Sequence, residues 1–249
     1  MHGDRFQIAK MDPDRPGLQG YGVQQRNPSG LLEYYYDATD GSLIREHYDE
    51  PDPDEPEDVG RGMMGDIDPA HEGMEVWSFS RVYNAPSEEL TTSHASDAPW
   101  PHFGVFRHSD ILLELYNGGK LEKWNWTDPT ESGNVLRVLS MSDFGAGNTR
   151  GLNPGFHGDI LGDWREGVIL VSEDNDELII FTTDWPTDVL LYMLAHNAAY
   201  RNSMTSRGSV QSHYVGYWAG YGGSDTAGYS ICWRLRSKQR YCRYGCIVI

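Results

Sequence analysis

The sequence predicts an all-β protein of propeller type. Three observations predict it: hydrophobic runs paired across turn dipeptides, a composition rich in aromatic residues and glycine, and an acidic turn that recurs along the chain. Eight Trp, fifteen Tyr and 28 Gly in 249 residues suit strands joined by tight turns. Flat side chains pack well on a pleated surface, and glycine supplies the turn conformations. Helix formers dominate no long stretch.

The hairpins share one grammar. Leu31 to Asp37 and Ser42 to Glu46 flank Asp40-Gly41, Ile111 to Tyr116 and Leu121 to Trp126 flank Asn117-Gly118, and Gly167 to Ser172 and Glu177 to Thr183 flank Asp174-Asn175-Asp176. Hairpins that follow one another without helices argue for a sandwich, barrel or propeller, and an internal repeat chooses between them. Lys10-Met11-Asp12-Pro13-Asp14-Arg15-Pro16-Gly17-Leu18-Gln19 aligns with Asp66-Ile67-Asp68-Pro69-Ala70-His71-Glu72-Gly73-Met74-Glu75, and both enter strand-like residues. A degenerate third copy starts at Asp159 and runs through Asp163 and Glu166 into the strand Val168 to Val171. The steps of 56 and 93 residues fit one blade, then an additional blade or insertion.

Two stretches read as surface connectors. Residues 51–57 are acidic and proline-rich and cannot pair in a sheet, and 85–101 are rich in Ser, Thr and Pro. Cys232, Cys242 and Cys246 all lie in the last eighteen residues, beside Arg234, Arg236, Lys238, Arg240 and Arg243. This basic tail, residues 232–249, is expected to lie outside the fold formed by residues 1–231, and its spacing is wrong for zinc. The start lacks the apolar region of a signal peptide and runs at once into strand-like Phe6 to Ala9, as if the chain began inside a domain.

A net charge of −17 repels phosphate backbones and acidic membrane surfaces, so nucleic acid and membrane are not expected partners. A monomer is expected. An acidic polysaccharide would also be repelled unless bound cations offset the carboxylates, which makes the acidic turns the candidate metal ligands. Closely spaced carboxylates, a glycine turn and a further acid can wrap a hard cation such as Ca2+. Asp66, Asp68 and Glu75 form the fullest set. Asp12 and Asp14 form a poorer one, since Lys10 and Gln19 replace the outer acids. The competing reading for both is an Asp-Pro turn that caps a strand. Asp159, Asp163 and Glu166, with Arg165 among them, form either a calcium site or a buried ion-pair network.

Several of these segments also carry a family resemblance. Asp58-Val59-Gly60-Arg61-Gly62, Gly65-Asp66-Ile67-Asp68-Pro69, Glu75-Val76-Trp77, Leu121-Glu122-Lys123-Trp124 and Asp159-Ile160-Leu161-Gly162-Asp163-Trp164-Arg165-Glu166 resemble, in that order, the rhamnogalacturonan lyases of polysaccharide lyase family 11. His196-Asn197-Ala198-Ala199-Tyr200-Arg201 resembles that family's H-D-P-x-Y-R segment, and the likeness runs from about Gly3 to Ile231. It implies a partial β-propeller, the later blades of a ring of about eight, with bound calcium. It also implies an extracellular enzyme that cuts the rhamnose to galacturonate bond of rhamnogalacturonan I by β-elimination. The alternative is a non-catalytic calcium-binding carbohydrate module or an inactive truncated fragment.

Asn148-Thr149-Arg150-Gly151 resembles the family's N-G-T-K loop, so Asn148, Thr149 and Arg150 are candidate catalytic residues and Gly151 and Arg61 candidate substrate-binding ones. Arg150 stands where the family has Lys; a guanidinium holds its proton and suits a carboxylate clamp better than a base. His213 resembles a family His, and either it or Tyr214 is expected near the leaving group. Gly167, Leu190 and Arg107-His108-Ser109 depart from the family's Glu, Arg and W-D-G.

Overall fold

The computed structural model describes Gly3 and residues 5–48, 59–87, 98–126, 135–147 and 153–205, together with the backbone of 246–248. The chain forms four small sheets in succession, a partial propeller. The first sheet is β1 (Phe6–Ala9), β2 (Gln19–Val23), β3 (Leu31–Asp37) and β4 (Leu43–Tyr48), paired antiparallel in chain order. The second holds β5 (Gly62–Gly65), β6 (Glu75–Ser78) and β7 (Val82–Asn84) among the described residues. The third is β8 (Phe103–Val105), β9 (Glu114–Tyr116), β10 (Lys120–Trp124) and β11 (Val135–Ser140). The fourth is β12 (Phe156–Gly158), β13 (Gly167–Val171) and β14 (Leu178–Thr182), and β15 (Cys246–Val248) runs parallel to β14. Three residues of the tail expected outside the fold thus lie beside the last sheet. Helix α1 (Ala198–Thr205) follows β14 after a 3-10 turn.

The turn chemistry explains the hairpins. In β3–β4, Asp37 Oδ1 accepts from Thr39 N at 2.8 Å and Asp40 Oδ1 from Ser42 N at 2.9 Å, while Gly41 takes φ +77°. In β13–β14, Ser172 Oγ accepts from Asp176 N and Glu177 N, and Asn175 stands at φ +62°. The expected strand Ile111 to Tyr116 begins only at Glu114. Leu112 N is taken by Asp110 Oδ1 at 3.2 Å and Leu113 N by Asp66 O at 2.8 Å, so neither amide is free for the ladder.

Hydrophobic packing lies between successive sheets. One cluster joins Tyr21, Val23 and Tyr35 of the first sheet to Met64 and Val76 of the second. Another joins Met63, Ile67 and Trp77 to Leu113, Leu115 and Trp124 of the third, and another joins Phe103, Tyr116 and Leu121 to Val168, Leu170 and Phe181 of the fourth. Leu113 fits between two inner strands because both present glycine: a Cβ on Gly65 or Gly104 would meet Leu113 Cδ2 at 2.4 or 2.3 Å. Buried Glu33 couples the first two sheets, accepting from the Tyr21 hydroxyl and from Ser80 Oγ (3.2 Å) and pairing with His47 Nδ1 (3.0 Å).

Up-and-down strand order gives each sheet two distinct ends. The connection entering the first strand lies at the end shared with the turn between second and third strands. The acidic turns, between first and second strands, lie at the other end. Contacts between sheets keep the ends apart: Met74 N reaches Met11 O (2.9 Å) at the acidic-turn end, and Arg5 Nη1 reaches Pro101 O (3.2 Å) at the strand-entry end. Replacing Leu113 by Ala should lower unfolding free energy by about 2 to 5 kcal/mol, whereas Ala at exposed Leu136 should change it by no more than about 0.5 kcal/mol, both read from urea midpoints.

Candidate functional site

The turns between first and second strands of the first three sheets are closed by one repeated device. A side-chain oxygen at the head of the second strand accepts two consecutive amides of the preceding turn. Gln19 Oε1 takes Met11 N (3.0 Å) and Asp12 N (3.1 Å), and Glu75 Oε2 takes Ile67 N and Asp68 N (both 3.0 Å). Glu114 Oε2 takes Arg107 N (2.9 Å) and His108 N (3.1 Å). The turn at 106–114 is therefore the blade skipped by the 93-residue step; Phe106 and His108 stand where the preceding turn has Asp66 and Asp68, which hid it from the repeat search.

The expected metal ligands mostly bind backbone. Asp12 Oδ1 accepts from Asp14 N (2.9 Å) and Arg15 N (3.2 Å), while Asp14 is exposed. Asp68 is buried, with Oδ1 on Ala70 N (3.0 Å) and Oδ2 on Trp124 Nε1 (3.2 Å). Asp66 and Glu75 are buried as neighbours; burial, aided by the Asp66 charge, pushes the Glu75 carboxyl well above its usual range against its amide hydrogen bonds. Asp159 takes Asp163 N (3.0 Å), Trp164 N (3.2 Å) and Leu194 N (2.8 Å), and Asp163 pairs with Arg165 at 2.5 Å. Glu166 takes Phe106 N (2.8 Å) and the Tyr200 hydroxyl (2.6 Å), and burial pushes its carboxyl up to about 8. These bonds tie α1 and the third sheet to the fourth.

Among the described residues, the side chains that bring three metal-type ligand atoms within 4.8 Å of one another are His108, Asp110 and Glu114. The sequence marked His108 only as part of a departure from the family's W-D-G and did not mark the three as ligands. Lys123 Nζ stands among them, 2.6 Å from Asp110 Oδ2 and 3.6 Å from Glu114 Oε1. An imidazole in the set and an ammonium between the carboxylates do not fit calcium, a hard ion that takes six to eight oxygens.

The strand-entry end has another character. His102 Nε2 and Asn153 Oδ1 are 3.0 Å apart, joining the segment before β8 to the segment before β12. Burial, then the charges of Arg5 and Arg61, hold the His102 imidazole down at about 4. Arg5 Nη1 donates to the carbonyls of Pro101 and His102, and its guanidinium lies 5.6 Å from the Phe103 ring. Half-exposed Trp100 has its carbonyl held by His102 N (2.8 Å) and its ring set against Phe79, centroids 4.8 Å apart and planes at 70°. Of this group the sequence named only Arg61, as a candidate substrate-binding residue; no motif marks His102, Asn153 or Trp100 beyond their position just before an inner strand. Asn148, Thr149, Arg150, Gly151, His213 and Tyr214 lie outside the described residues.

These features define a partial propeller with structural acidic turns at one end of its blades and a cationic and aromatic group at the other. The sequence matches the model of rhamnogalacturonan lyase family 11, C-terminal domain, over residues 1–227, and the chain belongs to that family. It is 33% identical over 200 residues to rhamnogalacturonan endolyase YesW and 28% identical over 219 residues to rhamnogalacturonan exolyase YesX, both of Bacillus subtilis (strain 168). Each alignment takes in 80% of this chain, but 30% and 33% of the relatives, so the chain spans about a third of their length. The crystal structure of rhamnogalacturonan lyase YesW superposes with a TM-score of 0.77 at 31% identity, covering 90% of this chain and 36% of that one. The Bacillus licheniformis rhamnogalacturonan lyase gives 0.73 at 32% identity, covering 89% and 36%.

Two tests follow from this chemistry. Glu75→Ala should destabilise the protein by about 2 to 5 kcal/mol, because two buried amides lose their acceptor, while Glu75→Gln, the arrangement Gln19 already uses, should cost far less; denaturant melts compare them. His102 is neutral when folded but titrates near 6.5 when unfolded, so its contribution to stability is present above about 6.5 and lost as pH falls toward about 4. Melting temperature should fall across that window, and His102→Gln should flatten the fall.

Proposed function

We propose that this chain is the part of a rhamnogalacturonan lyase that holds the polymer at the strand-entry end of its blades and takes part in β-elimination between rhamnose and galacturonate in rhamnogalacturonan I. The observation that carries this reading is the meeting of Arg61, His102 and Asn153 at that end. Asn153 is two residues beyond Gly151, so Asn148, Thr149 and Arg150 belong to the same connection. A protein of net charge −17 needs local cations to receive a uronate, and arginines concentrated here supply them.

Elimination requires a base to remove the proton on the ring carbon beside the carboxylate. The electron pair becomes a ring double bond as the bond to the leaving oxygen breaks, and an acid protonates that oxygen. Arg150 and Arg61 clamp the carboxylate, which eases loss of the neighbouring proton, while Asn148, Thr149 and Gly151 orient the sugar. His213 or Tyr214 serves the leaving oxygen. Since the polymer is met outside cells, the site of action is extracellular.

Calcium belongs, in this reading, to the opposite end. The 66–75 turn suits it best, because Asp66 and Glu75 are buried side by side. The 12–14 and 159–166 turns suit it less: Asp14 is exposed in one, and the Arg165 guanidinium already pairs with Asp163 in the other. An ion there braces a blade and does not touch the substrate.

Trp100 offers an indole face to a sugar ring beside the cationic group. Incubation with rhamnogalacturonan I and calcium should yield the ultraviolet-absorbing unsaturated uronate; new reducing ends without that chromophore would mean hydrolysis and refute the lyase reading. Trp100→Ala should weaken oligosaccharide binding about tenfold. Trp185→Ala, which removes the half-exposed indole set against His108 at the acidic-turn end, should leave binding unchanged.

A further inference from the structure

The turn at 106–114 follows the same plan as its neighbours but balances its charge differently. The 66–75 turn carries four carboxylates: Asp66, Asp68, Glu72 and Glu75. In the third blade the residue matching Asp68 is His108, and the matching carboxylates are reduced to Glu114 plus Asp110 from the body of the turn. Against those two negative charges stand Lys123, next to the last residue of β10, and Arg107, whose charge also reaches Glu114. The ammonium is mostly buried and sits 5.6 Å from the centre of the Trp126 ring, which gives it a cation-π neighbour as well as its two carboxylates.

Ligand atoms bound to one small divalent ion at 2.0–2.2 Å stand about 3 to 4 Å from each other. The His108, Asp110 and Glu114 atoms, all within 4.8 Å of one another, have nearly that spacing. One carboxylate oxygen of Glu114 holds the turn amides and the other faces Lys123, so the group has a fixed orientation as well as a donor. We propose that Lys123 is the resident counter-ion of a divalent-cation site built by His108, Asp110 and Glu114: the third blade is closed by its own ammonium, and removing that ammonium opens a site for a borderline ion such as zinc.

This assignment has two consequences. Metal depletion leaves the third blade closed, whatever it does to the turn at 66–75. A change at Lys123 converts a metal-independent blade into a metal-dependent one, because uncompensated buried carboxylates recruit a cation or take up a proton. Neither consequence depends on the substrate of the chain.

The test uses zinc alone as probe, with stoichiometry counted by native mass spectrometry and titration calorimetry on the wild type, Asp110→Asn, Lys123→Met and the Lys123→Met/Asp110→Asn double variant. Wild type and Asp110→Asn should bind the same number of ions, whereas Lys123→Met should bind one more, and the added Asp110→Asn should remove it. An ion lost from the wild type on Asp110→Asn, or no additional ion in Lys123→Met, overturns the proposal. Should Lys123→Met fail to fold, Lys123→Gln replaces it, and the comparison of wild type with Asp110→Asn needs no change at Lys123.

Discussion

The acceptor at the head of the second strand in the first three sheets is the interaction on which the rest of the architecture depends. Successive sheets pack face to face, so the turn after each inner strand is pressed into the neighbouring blade and loses water from its amides. A buried amide without an acceptor costs about 1 to 3 kcal/mol. Gln19, Glu75 and Glu114 each answer two such amides with one oxygen. Whether that oxygen belongs to an amide or a carboxylate is secondary, which is why the first blade can carry glutamine.

Closing the turns this way separates structure from recognition. Carboxylates gather where the blades interlock, through Trp124 on Asp68 and Phe106 on Glu166. Arg5, Arg61 and the Trp100 indole gather at the other end, where the entering segments of the four sheets meet. A strongly acidic protein can therefore present a locally cationic surface, since the acidic turns lie a strand length away and exposed charges at that separation are largely screened.

The fold was legible because its signals are local. Asp40-Gly41, Asn117-Gly118 and Asp174-Asn175-Asp176 each fix a hairpin through turn chemistry that needs no partner elsewhere. Where partners are distant, the sequence was silent. Ile111 to Leu113 read as strand, but Leu113 N is held by Asp66 O from another blade. The third acidic turn was hidden by Phe106 and His108, whose backbone amides and not side chains preserve the pattern. Arg61, His102 and Asn153 are separated by dozens of residues, and His102 and Asn153 looked like ordinary connector residues. Only Arg61 was singled out, through family likeness, and Trp100 lay inside a stretch read as a long loop.

The Tyr200 hydroxyl fastens α1 to Asp159 N and Glu166, so the helix that ends at Thr205 is moored at the acidic-turn end. One phenol oxygen therefore works as a rivet through three pieces of chain, reaching a backbone amide 41 residues before it and a buried carboxylate 34 residues before it. A helix of eight residues is too short to hold itself in water, so its persistence is borrowed from the blade to which that rivet fixes it.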